Sequence, residues 1–149
     1  LPPAAVDASF EVMGLDTQLI TDGTYFTVVE GDAIIGCGGW SRRNTLFGGD
    51  HSAGRSAALL DPNTDAARVR AMYTHPDHTR KGVGRAILQA CEKAASAEGF
   101  TRTQLAATLA GEPLYRAYGY EAGEHFTSPT IAGIDIPLIR MEKPIVLPR

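Results

Sequence analysis

The chain has 149 residues, 44% of them hydrophobic, and 14 Lys+Arg against 17 Asp+Glu give a net charge of −3. That length suits one domain spanning residues 1–149, able to bury a full core without staples. The weak negative charge excludes the global basic field that nucleic acid or an anionic membrane would require. No stretch has the length of a membrane span, and no charged-then-apolar leader opens the chain.

Leu1-Pro2-Pro3 is an extended start, and a helix is predicted over Ala4–Met13, with Val6, Phe10 and Met13 on one side and Gly14 at its end. A second short helix is predicted over Asp16–Ile20, closed by Asp22-Gly23. Thr24–Glu30 is rich in β-branched and aromatic residues and reads as a strand. A Gly31-Asp32 turn joins it to a partner strand over Ala33–Trp40. Three glycines in that partner (Gly36, Gly38, Gly39) predict a bulge or a close approach of backbone. Ser41–Ala66 lacks periodicity, and connections of that length are usually functional or mobile.

Ala67–Thr74 alternates as a strand does. Val83–Glu98 is the clearest helix, with Ile87, Ala90, Cys91, Ala94 and Ala95 as its buried stripe. Gly99 stands at the position that ends helices in the left-handed conformation. A strand follows over Arg102–Thr108, then a helix over Glu112–Tyr118 stopped by Gly119. The last two strands are predicted at Tyr120–Phe126 and Ile134–Met141. Cys37 and Cys91 each fall inside a predicted element. Reduced thiols in a cytoplasmic protein are therefore expected, and neither they nor the histidines have metal-ligand spacing, so no metal is expected.

The chemistry concentrates between the Ala67–Thr74 strand and the helix after it. Thr79-Arg80-Lys81-Gly82-Val83-Gly84-Arg85 leads into that helix. A helix start leaves N–H groups unpaired and carries partial positive charge. Two glycines permit close approach, and three basic residues flank them, which together make an anion site suited to phosphate. The segment lacks the Gly-Lys-Ser/Thr ending of a Walker A loop. The dinucleotide fingerprint fails because position 87 is Ile87.

Thr79–Gly84 resembles the Gln/Arg-x-x-Gly-x-Gly/Ala acyl-CoA pyrophosphate loop of the GNAT superfamily of N-acetyltransferases. Thr79 stands where the family usually has Arg or Gln, and Arg80 or Lys81 is placed to take over that contact. A second stretch, Leu114-Tyr115-Arg116-Ala117-Tyr118-Gly119-Tyr120, resembles the family's Phe/Leu-Tyr-x-x-x-Gly-Phe/Tyr signature. The resemblance extends over about residues 24–143. It implies an α/β (α+β) fold with a mixed, mostly antiparallel central sheet, splayed at the cofactor site and flanked by helices on both faces. In that order the family's first strand and helix have no evident counterpart before Thr24.

The resemblance also implies acetyl transfer from acetyl-CoA to an amine by direct attack in a ternary complex. The cofactor arm would pair with the backbone of Met72, Tyr73 and Thr74 after the central strands part beyond Thr74. Its pyrophosphate would meet Thr79, Arg80, Lys81, Gly82, Val83, Gly84 and Arg85. A backbone N–H near Met72 or Tyr73 would stabilise the carbonyl oxygen, and Tyr115 would protonate the leaving thiolate. Thr108 lies near the place of a cofactor-touching Asn in relatives.

For the base, His51 beside Asp50 is the candidate carried forward, with His75 and Glu112 as others. His78 and His125 carry no signal. Trp40, Arg42, Arg43, Phe47 and Asp50, at the start of the long connection, are the candidate acceptor site. Arg42 and Arg43 are suited to an anionic group there. The acceptor expected is a small-molecule amine. A peptide or protein acceptor, a non-catalytic CoA sensor and a nucleotide-binding α/β protein are the other readings. A homodimer is common among such proteins, and nucleic-acid and membrane partners are not expected.

Overall fold

A computed structural model describes residues 17–44, 58–78, 82–127 and 136–146. The predicted Ala4–Met13 helix therefore lies outside the described residues. Within them the chain runs through helix α1 (Thr17–Asp22), strands β1 (Tyr25–Glu30), β2 (Ala33–Ser41) and β3 (Ala67–Thr74), helix α2 (Val83–Ala97), strand β4 (Arg102–Ala107), helix α3 (Glu112–Tyr118), and strands β5 (Glu121–Thr127) and β6 (Pro137–Pro144). One turn of 3-10 helix, Pro76–His78, links β3 to the approach to α2. The strands form one sheet in the order β1-β2-β3-β4-β6-β5. Every neighbouring pair is antiparallel except β3–β4, which is parallel.

Alternation along each strand assigns the two faces. On one face Trp40, Val69, Leu105, Ile139 and Met141 pack under Val83, Ile87, Leu88, Cys91 and Ala95 of α2. Trp40 meets Phe100 edge to face at 5.9 Å between ring centroids. Helix α2 ends as the sequence requires. Gly99 has φ +97°, and the Phe100 amide bonds back to the Ala95 carbonyl at 3.1 Å, which seats the Phe100 ring in the core. Leu88 is fully buried and Glu92 nearly so, whereas Ala90 and Ala94 are only half-buried. The apolar stripe is thus rotated slightly from the predicted one. On the opposite face α1 sets Leu19 against Gly39, where a Cβ would lie 3.1 Å from the leucine methyl.

Pairing between β3 and β4 covers only Ala67↔Thr103 and Arg68↔Gln104. The strands therefore part after Arg68, earlier than the expected Thr74. The cause is local: the β2–β3 register shifts between Cys37 and Gly39, and Ala71 takes φ +59°. A bulge with one residue in the left-handed region bends a strand and strengthens its twist. An alanine held there costs roughly 1–2 kcal/mol, and strain of that kind collects at ligand sites.

Candidate active site

Beyond Arg68 the far edge of β3 faces a gap instead of a partner strand. Met72, Tyr73 and Thr74 all lie on this stretch, and Tyr73 is 53% exposed. Their other edge is held by β2, through Gly36↔Thr74 and Cys37↔Tyr73. Gly36 and Gly38 are required here. A Cβ on Gly36 would strike Val83 and come within 3.1 Å of the Tyr73 carbonyl, and one on Gly38 would lie 2.5 Å from the Met72 sulfur. The glycines noted in the sequence thus let the start of α2 settle against the open end of the gap.

Helix α2 begins there without a side-chain cap, after Gly82 at φ +79°. Its first intrahelical bond is from the Ala86 amide to the Gly82 carbonyl, 3.0 Å. The preceding amides of Val83, Gly84 and Arg85 are therefore the unpaired donors of a helix start. Gly84 allows α3 to approach, since a Cβ would sit 2.7 Å from a Leu114 methyl. The Arg85 guanidinium lies over the Tyr118 ring at 5.6 Å. Thr79, Arg80 and Lys81, like Phe47, Asp50 and His51, lie outside the described residues.

Helix α3 forms the wall beyond α2. Thr108 fixes the turn before it, with Oγ1 accepting from the Gly111 amide at 3.2 Å. This structural bond occupies the residue considered for cofactor contact. Of the three tyrosines in the second motif, Tyr118 donates to Glu92 Oε2 at 3.1 Å and Tyr120 shares a 2.8 Å bond with Thr103 Oγ1. Tyr115 stacks edge-on against Tyr120 at 5.8 Å, and its hydroxyl makes no hydrogen bond among the described residues. Burial, and then the neighbouring Cys91, push its pKa well above the ordinary phenol range. The Cys91 thiol, itself raised to about 12 by burial and by Glu92, stays protonated and inert.

The candidate acceptor residues are distributed differently. Trp40 is 1% exposed and belongs to the core. Arg42 binds Glu98 through two 2.8 Å bonds, and Arg43 binds Asp22 at 2.8 and 3.1 Å. The Arg43 hydrogen bond holds the Asp22 carboxyl below its usual range. Both guanidinium groups therefore pin the end of β2 to α1 and to the end of α2. Among the other base candidates, His75 accepts the Asp77 amide on Nδ1 at 3.1 Å, and Glu112 pairs with Arg116 at 2.6 Å.

A cationic cluster on the face opposite α2 went unnoticed in the sequence. Arg68 and Arg140 both donate to Gln104 Oε1, and Arg70 donates to Gln18 at 3.1 Å. The signal was present in Arg68-Val69-Arg70, whose alternation puts two arginines on one face. Gln104 on β4 lies 36 residues beyond Arg68, and Arg140 on β6 another 36 residues beyond Gln104.

Residues 21–122 match the family profile described as an acetyltransferase (GNAT) domain. An uncharacterised N-acetyltransferase of Bacillus subtilis, YsnE, is 27% identical over 130 residues, covering 84% of this chain and 71% of that one. The fold is shared with the ribosomal-protein-alanine N-acetyltransferase of Brucella melitensis, at TM-score 0.62, 14% identity, and 86% and 73% coverage of the two chains. It is also shared with a GNAT phosphinothricin acetyltransferase of Sinorhizobium meliloti solved with acetyl-CoA, at TM-score 0.62, 20% identity, and 87% and 65% coverage. A sheet parted between β3 and β4, an uncapped helix start at the mouth of the gap and a profile match over most of the chain lead to one conclusion: this protein belongs to the GNAT family of N-acetyltransferases.

Proposed function

We propose that the protein transfers an acetyl group from acetyl-CoA to the primary amine of a small molecule, by direct attack of the amine within a ternary complex. The gap between β3 and β4 carries this reading, because it joins an unpaired strand edge to an uncapped helix start. The residues fit such a co-substrate. The free edge of β3 from Val69 to Thr74 offers main-chain donors and acceptors to an extended amide chain, as in strand addition. The amides of Val83, Gly84 and Arg85, with Thr79, Arg80 and Lys81 just before them, receive the pyrophosphate. When bound, acetyl-CoA supplies the activated acyl thioester.

Tyr115 holds the proton for the leaving sulfur. Its raised pKa keeps the hydroxyl protonated, which suits a donor. A backbone N–H of the Met72–Tyr73 stretch stabilises negative charge on the carbonyl oxygen. His51 accepts the proton of the incoming ammonium; His75 and Glu112 have structural partners of their own.

The test is a thermal-shift titration with acetyl-CoA, CoA, ATP and NAD, followed by thiol-release assays over a panel of amines. Ligand at one hundred times Kd adds about 2.7 kcal/mol of stability. Stabilisation by acetyl-CoA and CoA alone, with thiol release on adding an amine, is the expected result. Stabilisation with no release for any amine or peptide would make the protein a CoA sensor. No stabilisation by either would refute the cofactor site.

A further inference from the structure

We propose that Arg68 and Arg140 form a carboxylate subsite at the closed end of the β3–β4 gap, so that the acceptor is an amine bearing a carboxylate. This rests on the acetyl-transfer reading above. Arg68↔Gln104 is the last rung before the strands part, so the cluster sits where the gap closes, on the face away from α2. An acyl arm entering from the start of α2 runs towards this point.

The partners of the two arginines are neutral. Arg68 Nη1 and Arg140 Nη1 converge on the single oxygen Gln104 Oε1, the latter at 3.5 Å, and Arg68 Nη2 reaches Asn44 Oδ1 at 3.1 Å. The Nε atoms of both are buried and have no hydrogen-bond partner. By contrast Arg42, Arg43, Arg102 and Arg116 each hold a carboxylate. Two acids, Asp65 and then Glu142, act on Arg68 through space without a hydrogen bond to it. Glu142 is taken by Arg102 and by Gln104 Nε2, which turns the Gln104 oxygen towards the arginines.

Two like charges sharing one amide oxygen, with Arg68 desolvated by burial, are unfavourable, and an anion beside them reverses the balance. Guanidinium forks match a carboxylate in two-point geometry. Arg140 is also reachable. It lines a cavity of about 340 Å³ together with Arg102, Glu121, Glu142 and the bulged backbone at Ala122–Gly123; Arg68 does not line this cavity, so it opens the pair from the Arg140 side alone. The Phe126 ring lies 6.0 Å from its guanidinium and gives the site an apolar side.

The experiment compares the ω-amino acids from glycine to 5-aminopentanoate with their carboxamides. Thiol release from acetyl-CoA is one readout, and the melting temperature with saturating CoA is the other. The expected result is at least one acid with kcat/KM tenfold or more above its amide, and an acid-specific rise in melting temperature. Arg140→Gln removes that preference by raising KM for the acid, Arg140→Lys restores part of it, and the shift caused by acetyl-CoA is unchanged in both. Amides equal to their acids in both readouts overturn the subsite, as does an Arg140→Gln variant that slows acid and amide alike. If Arg140→Gln does not fold, the wild-type comparison of acids with amides decides alone. A normal acetyl-CoA shift without acid preference refutes only the subsite, whereas no acetyl-CoA shift refutes the acetyl-transfer reading and the subsite with it.

Discussion

Tyr115 differs from its two tyrosine neighbours in having no hydrogen-bond partner among the described residues, although its ring is as firmly packed as theirs. Tyr115→Phe keeps the ring and removes only the proton. It is expected to lower kcat by about 10²-fold or more, the scale of general-acid catalysis, while acetyl-CoA still raises the melting temperature normally. The raised pKa means that the protonated form persists above the ordinary phenol range. The wild-type rate should therefore not fall on account of this group up to pH 10. A wild-type loss below that pH that persists in Tyr115→Phe belongs to another residue. Asp22 is the converse case: its folded pKa lies below the unfolded one because Arg43 bonds to the carboxylate. Its contribution is complete above the unfolded value of about 4 and is lost as pH falls through the lower folded value. Asp22→Asn should lower the melting temperature by about 2–4 °C at pH 7, with the difference shrinking towards zero as the pH approaches 2. Thermal denaturation of both proteins across that range checks the sign.

At the scale of elements, α2, α3 and β6 meet at one buried polar junction. Lys143 Nζ lies 2.7 Å from Glu92 Oε1, and Tyr118 donates to the other carboxylate oxygen. The Lys143 ammonium also stands 5.2 Å from the Tyr118 ring centroid. Glu92 is 2% exposed and Lys143 9%, so removing one partner leaves the other charge buried and alone. Glu92→Leu or Lys143→Met by itself should cost about 3–5 kcal/mol, while the double variant should lie much closer to wild type. Denaturant melts of the three variants measure the coupling, and simple additivity would show that the pair does not act as a unit. Periodicity places position 92 near the buried stripe of α2, but nothing within the helix reveals why a carboxylate belongs there. Its counter-ion is 51 residues away. Separation in sequence likewise hid the partners of Arg42 and Arg43. Both look available for an anionic acceptor in the sequence, yet Glu98 and Asp22 hold them, 56 and 21 residues away.

Across the whole molecule, one half of the sheet is closed and the other is open to a guest strand. β4, β6 and β5 are paired along most of their length, whereas β3 loses its β4 partner after Arg68. Acetyl-CoA should therefore slow amide hydrogen exchange in Val69–Thr74 and at the start of α2, and leave the β5–β6 pair almost unchanged. Uniform slowing, or slowing confined to β5–β6, would contradict the proposed binding mode. Among the described residues, the sequence by itself determined the helices and strands, whose bounds lie within about three residues of those predicted. It also determined the glycine-rich helix start and the Tyr115 motif, and through them the family. These features depend on propensity, on periodicity and on turn residues such as Gly99 and Gly119, all of which act over a few positions. Only the tertiary structure decided where β3 and β4 part, because that depends on a bulge set by pairing with β2. It likewise separated arginines held by carboxylates from those held by neutral groups, since a charge is satisfied by whatever the fold brings beside it. Arg68 and Arg140 lie 72 positions apart and meet only because Gln104 of β4 stands between them in the sheet.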